Sequence, residues 1–406
     1  MPESSYNLTT LEPAYNFTTP SLHDDIALDC RIYVPDARSI ETDYSIRGAV
    51  LAHPYAPLGG CYNDPVLEIV TRELLKHGYF ICTFNFRGAH GSSGRTSWTG
   101  KGETHDYVSV AGFFAHYLHL IQDAVPTGLV SPPTSPQLRP ATAANPSGAQ
   151  PSRHRPQIIL GGYSYGSLIA SRLPPLSIIL ANFVGVPDGT AAAEILCRAR
   201  TISSWTNENL ASVREQARAR KSRQGGARKH SPSITMGGEE TPMSERASRD
   251  VLGKRSIDLE GIRKSLEIPR RTKEKRSGGF SPGNSPALSQ DKAQNGYDIP
   301  SLNVRYLLIS PVFGVIGSSI FLFTSDVGPD SATFKATLGN EKSLLVYGDE
   351  DVFTNTKKTR QWTGKLSSVS SKFRAVEVSG AGHFWREPGA AEKLTTAIRT
   401  WAQERE

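Results

Sequence analysis

The sequence predicts an α/β fold, a mostly parallel sheet with helices on both faces, and three observations carry that reading. Short apolar runs rich in β-branched and aromatic residues recur at 48–53, 79–84, 157–162, 304–310, 343–347 and 373–378. Segments with apolar residues at helical spacing lie between them. Strands that are apolar throughout are buried on both sides, which is the pattern of a parallel sheet between helix layers.

Residues 1–25 are polar and read as a loose entry segment, and Leu28–Val34 then alternates enough for a strand that Pro35-Asp36 ends. Gly48–His53 is a buried strand running into the turn-rich Pro54–Gly60. Pro65–His77 has Val66, Leu67, Val70 and Leu74 at helical spacing, and Gly78 closes it before the strand Tyr79–Phe84. A glycine-rich loop leads to Glu103–Ile121, a long helix with Val110, Phe113, Phe114, Tyr117 and Leu118 on its apolar face. The stretch 126–156 holds eight prolines and reads as a flexible loop. Gln157–Gly162 is a strand and Tyr165–Leu173 a helix stopped by Pro174-Pro175. After strands at 304–310, 343–347 and 373–378, Pro388–Gln403 forms a last helix with Leu394, Ile398 and Trp401 on one face.

This pattern divides the 406 residues into one α/β domain in two parts, 26–175 and 304–406, around an insertion at 176–303. Within the insertion, 176–211 has helical character suited to a cap. Glu194, Arg198 and Arg200 are expected on its solvated face. Residues 212–300 are poor in aromatics and are expected to be disordered, since they bury too little apolar surface to offset their ordering entropy. The net charge of +7 is local: residues 211–276 hold 18 Lys and Arg against 9 Asp and Glu, leaving about −2 for the rest. The basic run Pro269–Arg276 reads as a nuclear address or a polyanion-binding patch, with a solvated loop as the alternative, and the basic insertion 212–300 could take a protein partner. Interleaved acids and sparse aromatics argue against nucleic-acid binding as the main role.

Four scattered cysteines, Cys30, Cys61, Cys82 and Cys197, make no metal-ligand spacing, and no cofactor is called for. The first 25 residues lack the pattern of a secretory signal. The longest apolar stretch, Tyr306–Phe323, is broken by Pro311, Gly314 and Gly317 before it reaches the roughly 18 residues of a membrane span. A cytoplasmic setting is expected.

The chemistry concentrates at three strand ends. Gly162-Tyr163-Ser164-Tyr165-Gly166 follows a strand and opens a helix, the setting in which a serine hydroxyl is exposed on a tight strand-to-helix turn. The acidic turn Asp349-Glu350-Asp351 follows the strand ending at Tyr347, and Gly382-His383 follows the one ending at Val378. Carboxyl ends of strands are where open α/β sheets bind ligands. A serine hydroxyl needs a base within hydrogen-bond reach, and an imidazole needs a partner that fixes its tautomer.

These motifs, with Asn85-Phe86-Arg87-Gly88 and His53-Pro54, resemble the α/β-hydrolase superfamily over most of 44–120, 156–175 and 304–404. The resemblance implies an eight-stranded sheet and a triad of Ser164 as nucleophile, His383 as base and Asp351 as its acid. Asp349 and Glu350 are the neighbouring alternatives for the acid. It also implies an oxyanion hole from the backbone N–H groups of Tyr165 and Tyr55. The implied reaction is hydrolysis of a carboxylic ester or related acyl bond in a small-molecule substrate. A peptidase or amidase using the same triad, and a hydrolase-like scaffold that only binds, are the competing readings. His53, His90 and His105 precede the serine and suit loop roles better than that of base. Arg87 and Glu103 are expected to brace the glycine-rich loop. Tyr55, Tyr163, Tyr165, Phe384 and Trp385 flank the proposed centre, as pocket wall or as core and rim.

Overall fold

The structure is a computed structural model that describes residues 11–36, 39–40, 46–97, 99–124, 155–226, 299–312 and 337–404. Eight strands among them form one sheet: β1 (Tyr15–Pro20), β2 (Ala27–Tyr33), β3 (Arg47–Ala52), β4 (Tyr79–Phe84), β5 (Gln157–Tyr163), β6 (Asn303–Ile309), β7 (Lys342–Gly348) and β8 (Phe373–Val378). Their order is β1-β2-β4-β3-β5-β6-β7-β8. β1 and β2 run antiparallel, and every pairing from β4 to β8 is parallel.

The helices α1 (Pro65–Lys76) and α7 (Ala390–Gln403) cover one face, over a core of Leu51, Val70, Ile159, Leu307, Val346 and Trp401. On the other face pack α2 (Lys101–Ala124), α3 (Tyr165–Ala170), α4 (Leu176–Ala181), α5 (Ala191–Gly226) and α6 (Thr356–Val369), over Val50, Phe84, Leu160, Leu308 and Leu345. Asp64 caps α1, its carboxylate accepting the N–H groups of Val66 and Leu67 at 2.8 and 3.4 Å, with Pro65 at the first helical position. The sequence-predicted sheet class and its elements from β2 onward are present.

Four readings change. Part of the entry segment is ordered: β1 pairs along β2, and its polar alternation reflects an outermost strand with only one neighbour. α6 was not read from sequence, although Asn355 caps it and Trp362 and Leu366 stand four apart on its buried side. The insertion is helical beyond its expected cap, because α5 continues through 212–226, which composition marked for disorder. Arg198 is largely buried, paired with Glu194 and 3.2 Å from the Thr18 hydroxyl, while Arg200 is exposed. Ser222–Lys292 separates as a unit of its own, of which only 222–226 are described. The proline-rich loop up to 154, the basic run at 269–276 and residues 313–323 of the apolar stretch lie outside the described residues.

Candidate active site

β5 delivers the chain to Ser164, whose φ of 55° and ψ of −115° lie in a region that L-residues avoid. Such backbone costs about 1–3 kcal/mol and persists only where its surroundings fix it. The Ser164 N–H donates to the Ile309 carbonyl at 2.9 Å. The Ser167 hydroxyl sits 2.5 Å from the Gly162 carbonyl and accepts the Ile309 N–H at 2.8 Å, tying the turn to β6. Both motif glycines are sterically required. A Cβ on Gly162 would come within 2.7 Å of the Ala52 carbonyl oxygen, and one on Gly166 would overlap that same atom.

Ser164, His383 and Asp351, from the ends of β5, β8 and β7, are buried and stand in one hydrogen-bonded line. The Ser164 hydroxyl is 2.9 Å from His383 Nε2, and His383 Nδ1 is 2.8 Å from Asp351 Oδ2. The second Asp351 oxygen accepts the Phe353 N–H at 2.8 Å. Of the two neighbouring acids, Asp349 accepts the Gly380 N–H at 2.7 Å. That bond, at the turn before the histidine loop, holds its carboxyl below the usual range. Glu350 is exposed.

The histidine loop is held from below. The Tyr163 hydroxyl donates to the His383 carbonyl at 2.9 Å, and burial pushes that phenol well up. The rings of Phe353, Tyr163 and Phe384 surround the imidazole at centroid distances of 4.7, 5.4 and 5.5 Å. Trp385, in the left-handed region at φ 56°, donates its indole N–H to Ser310 Oγ at 3.1 Å. Tyr163 and Trp385 are therefore buried supports, and Phe384 is half exposed at the rim.

Tyr165 is the first residue of α3, and Tyr55 opens a single 3-10 turn, Ala56–Leu58, after β3. Their rings lie 5.1 Å apart, and the close approach of Gly166 to Ala52 and His53 packs the two backbone segments together. First-turn N–H groups of a helix have no intrahelical acceptor and point outward from its start. His53 anchors the other side of the loop. Its Nε2 accepts the Phe86 N–H at 2.9 Å and its Nδ1–H donates to the Pro54 carbonyl at 2.5 Å, so both ring nitrogens are committed. Burial pulls its pKa down to about 4, which keeps it neutral and structural. His90 lies 6.0 Å from the Tyr62 ring and His105 4.4 Å from the His23 ring, in loop and helix settings.

Arg87 is clamped by Asp106, at 2.6 and 2.9 Å, and by Asp24 at 2.9 Å. Glu103 takes both the N–H and the hydroxyl of Ser97. Both residues brace the glycine-rich loop, as the sequence led us to expect. Asn85 accepts the Tyr62 N–H at 2.9 Å and donates to Asp29 at 3.3 Å. Asp29 also accepts the Tyr62 hydroxyl at 2.7 Å. An aspartate at 85 would set two carboxylates against each other there. The supports that sequence reasoning missed are Asp106, Ser310 and the hydroxyl of Tyr163, all of which act through partners far away in the chain.

Among the described residues, no group of three or more His, Cys, Asp or Glu is placed to hold a metal ion, and no helix is long and apolar enough to cross a membrane. No family model and no curated protein matches the sequence. Solved structures similar to the chain include an α/β serine hydrolase homologue from Coxiella burnetii, at 14% identity and a TM-score of 0.42 over 97% of this chain and 99% of that one. A lidless α/β serine hydrolase from Xanthomonas campestris has 14% identity and a TM-score of 0.40 over 98% and 100%. A Pyrococcus furiosus esterase has 10% identity and a TM-score of 0.42 over 97% and 91%. Identities of this order compare chain traces and carry no substrate across.

Proposed function

We propose that this chain, an α/β-hydrolase by fold, is a serine hydrolase that cleaves a carboxylic ester or related acyl bond through an acyl-enzyme intermediate. The observation that carries the reading is the line Ser164–His383–Asp351, with each contact between 2.8 and 2.9 Å. In this reading His383 Nε2 takes the Ser164 proton as Oγ attacks the acyl carbon, then returns it to the leaving oxygen. Asp351 holds the Nδ1–H tautomer and stabilises the imidazolium as it forms. The N–H groups of Tyr165 and Tyr55 receive the developing oxyanion, one such donor being worth about 3 kcal/mol of barrier. Water then attacks the acyl-enzyme with the same histidine as base. Amide and peptide bonds are the nearest variant, since the same groups serve them. A cytoplasmic setting is part of the proposal, supported by four free thiols, of which Cys30 and Cys82 are buried on neighbouring strands.

A fluorophosphonate probe tests the mechanism. The protein is expected to label at Ser164, and Ser164→Ala is expected to abolish labelling and hydrolysis of a series of acyl esters. Equal labelling of the Ser164→Ala variant would overturn the assignment. Deleting 227–298 tests the binding-only alternative: hydrolysis that survives the deletion leaves the chemistry with the sheet, and only if a binding partner is lost at the same time is the insertion the interaction element.

A further inference from the structure

The alcohol that an ester releases has one defined place in a site of this kind. As the tetrahedral intermediate collapses, the bond from the acyl carbon to the leaving oxygen breaks, and His383 Nε2–H passes its proton to that oxygen. The two atoms must then stand about 2.6–3.2 Å apart. Accessible groups around the imidazole therefore border whatever is attached to the leaving oxygen.

Those groups are apolar. The rings of Phe353 and Phe384 lie 4.7 and 5.5 Å from the imidazole and meet each other edge to face at 5.8 Å. Phe384 is 51% exposed, Val352 is 80% exposed and Phe353 is half-buried. Single apolar residues on a surface need no explanation. These three differ by their place, because Val352 and Phe353 directly follow Asp351 and Phe384 directly follows His383. The remaining neighbours of the imidazole are committed. Tyr163 is buried with its hydroxyl on the His383 carbonyl, and Asp351 has one oxygen on His383 and the other on the Phe353 N–H. Trp385 turns inward to Ser310, which leaves Phe384 on the open side. The exposed Arg386 covers one face of the Phe384 ring, its guanidinium 5.4 Å from the centroid.

Resting on the triad reading above, we propose that Phe353, Phe384 and Val352 form the leaving-group subsite of this hydrolase and select esters of apolar alcohols.

Steady-state kinetics of the full chain on two ester series tests it, each substrate kept below its solubility limit. Ethyl, butyl and hexyl acetate vary the alcohol; ethyl acetate, butanoate and hexanoate vary the acyl group. The three alcohols are nearly equal in acidity, so differences among the acetates report contact. All acetates also pass through the same acetyl-enzyme after the alcohol has left, so the alcohol dependence must fall on kcat/KM. Hexyl acetate is expected to exceed ethyl acetate in kcat/KM at least about tenfold, from partial burial of the added methylenes. Phe384→Ala is expected to cut that ratio to about twofold while the slope of the acyl series stays, and Phe384→Leu to retain most of it. Equal kcat/KM across the acetates, a Phe384→Ala variant that keeps the ratio, or one that flattens both series alike would each overturn the subsite. So would faster cleavage of acetoxyacetate, whose leaving group carries a carboxylate for Arg386, than of hexyl acetate. Failure of the triad reading looks different: wild-type protein would then neither label with fluorophosphonate at Ser164 nor hydrolyse either series, and the subsite would fall with it.

Discussion

Three acids crowd the turn after β7, and their surroundings separate their tasks. Asp351 has one oxygen on His383 and the other on the Phe353 N–H, so its position and that of the imidazole are set together. Asp349 is spent on the Gly380 N–H, a backbone bond that shapes the turn and leaves the charge in solvent. Substituting amide for carboxylate should therefore have very different effects at the two positions. Asp351→Asn replaces an acceptor toward His383 by a group that can also donate, favouring the wrong tautomer, and is expected to lower kcat on an acyl ester about 10⁴-fold. Asp349→Asn keeps a carbonyl oxygen for Gly380 and loses only an exposed charge, and kcat is expected to stay within about a factor of three. Steady-state kinetics of both variants on one ester decides the matter; equal losses would mean that the third member of the relay has been misassigned.

At the scale of elements, the seam between α2 and the chain leaving α4 depends on an absent side chain. A Cβ on Gly112 would overlap the ring of Phe183, which is buried and also meets His116 edge to face at 5.2 Å. Glycine to alanine in a helix interior ordinarily gains about 1 kcal/mol. Overpacking a filled seam costs about 1–3 kcal/mol, so the clash should win. Gly112→Ala is expected to destabilise the protein in urea unfolding and to be rescued by Phe183→Leu. Additive losses in that double-mutant cycle would refute the contact. Helix packing of this kind was hidden in the sequence, whereas the central strands were plain there. β4, β5 and β7 are apolar along most of their length because both faces are covered, and the serine, aspartate and histidine follow such runs at glycine-marked turns. β1 escaped notice because an outermost strand alternates with polar residues, and α6 because its stripe is only Trp362 and Leu366 among Lys, Ser and Thr. The far half of α5 lacks aromatics beyond Trp205 and reads as disorder, yet its Ala, Arg, Gln and Lys are good helix formers. The left-handed Trp385 and Ser310 and the Tyr163–His383 bond arise only when distant strands meet, so no local pattern announces them.

Across the whole molecule, the response to acid is shaped by buried histidines that fold in the neutral form. His116 on α2 is 9% exposed, and burial, with His119 and Arg200 nearby, lowers its pKa from 6.5 to about 4. Above pH 6.5 neither the folded nor the unfolded chain is protonated there, and the residue adds no pH dependence. Below 6.5 the unfolded chain takes a proton that the folded one refuses, so acid favours unfolding until about pH 4, where the folded state accepts it as well. A pKa lowered from 6.5 to about 4 corresponds to at most about 3.4 kcal/mol. Asp64, Glu103 and Asp106 act in the opposite sense, because burial raises their carboxyl pKa values and the folded state then takes up protons at higher pH than the unfolded chain does. His53 adds to the histidine effect in the same pH window. These other groups are common to wild type and a His116→Leu variant and cancel in the difference between them. Relative to wild type, the variant is therefore expected to gain stability as pH falls from 7.5 to 5, by about 1.4 kcal/mol for each pH unit below 6.5. Urea unfolding of both proteins at pH 7.5, 6.0 and 5.0 measures this. Parallel stability curves would mean that His116 is protonated in the folded state, and with it that the α2 seam is open to water.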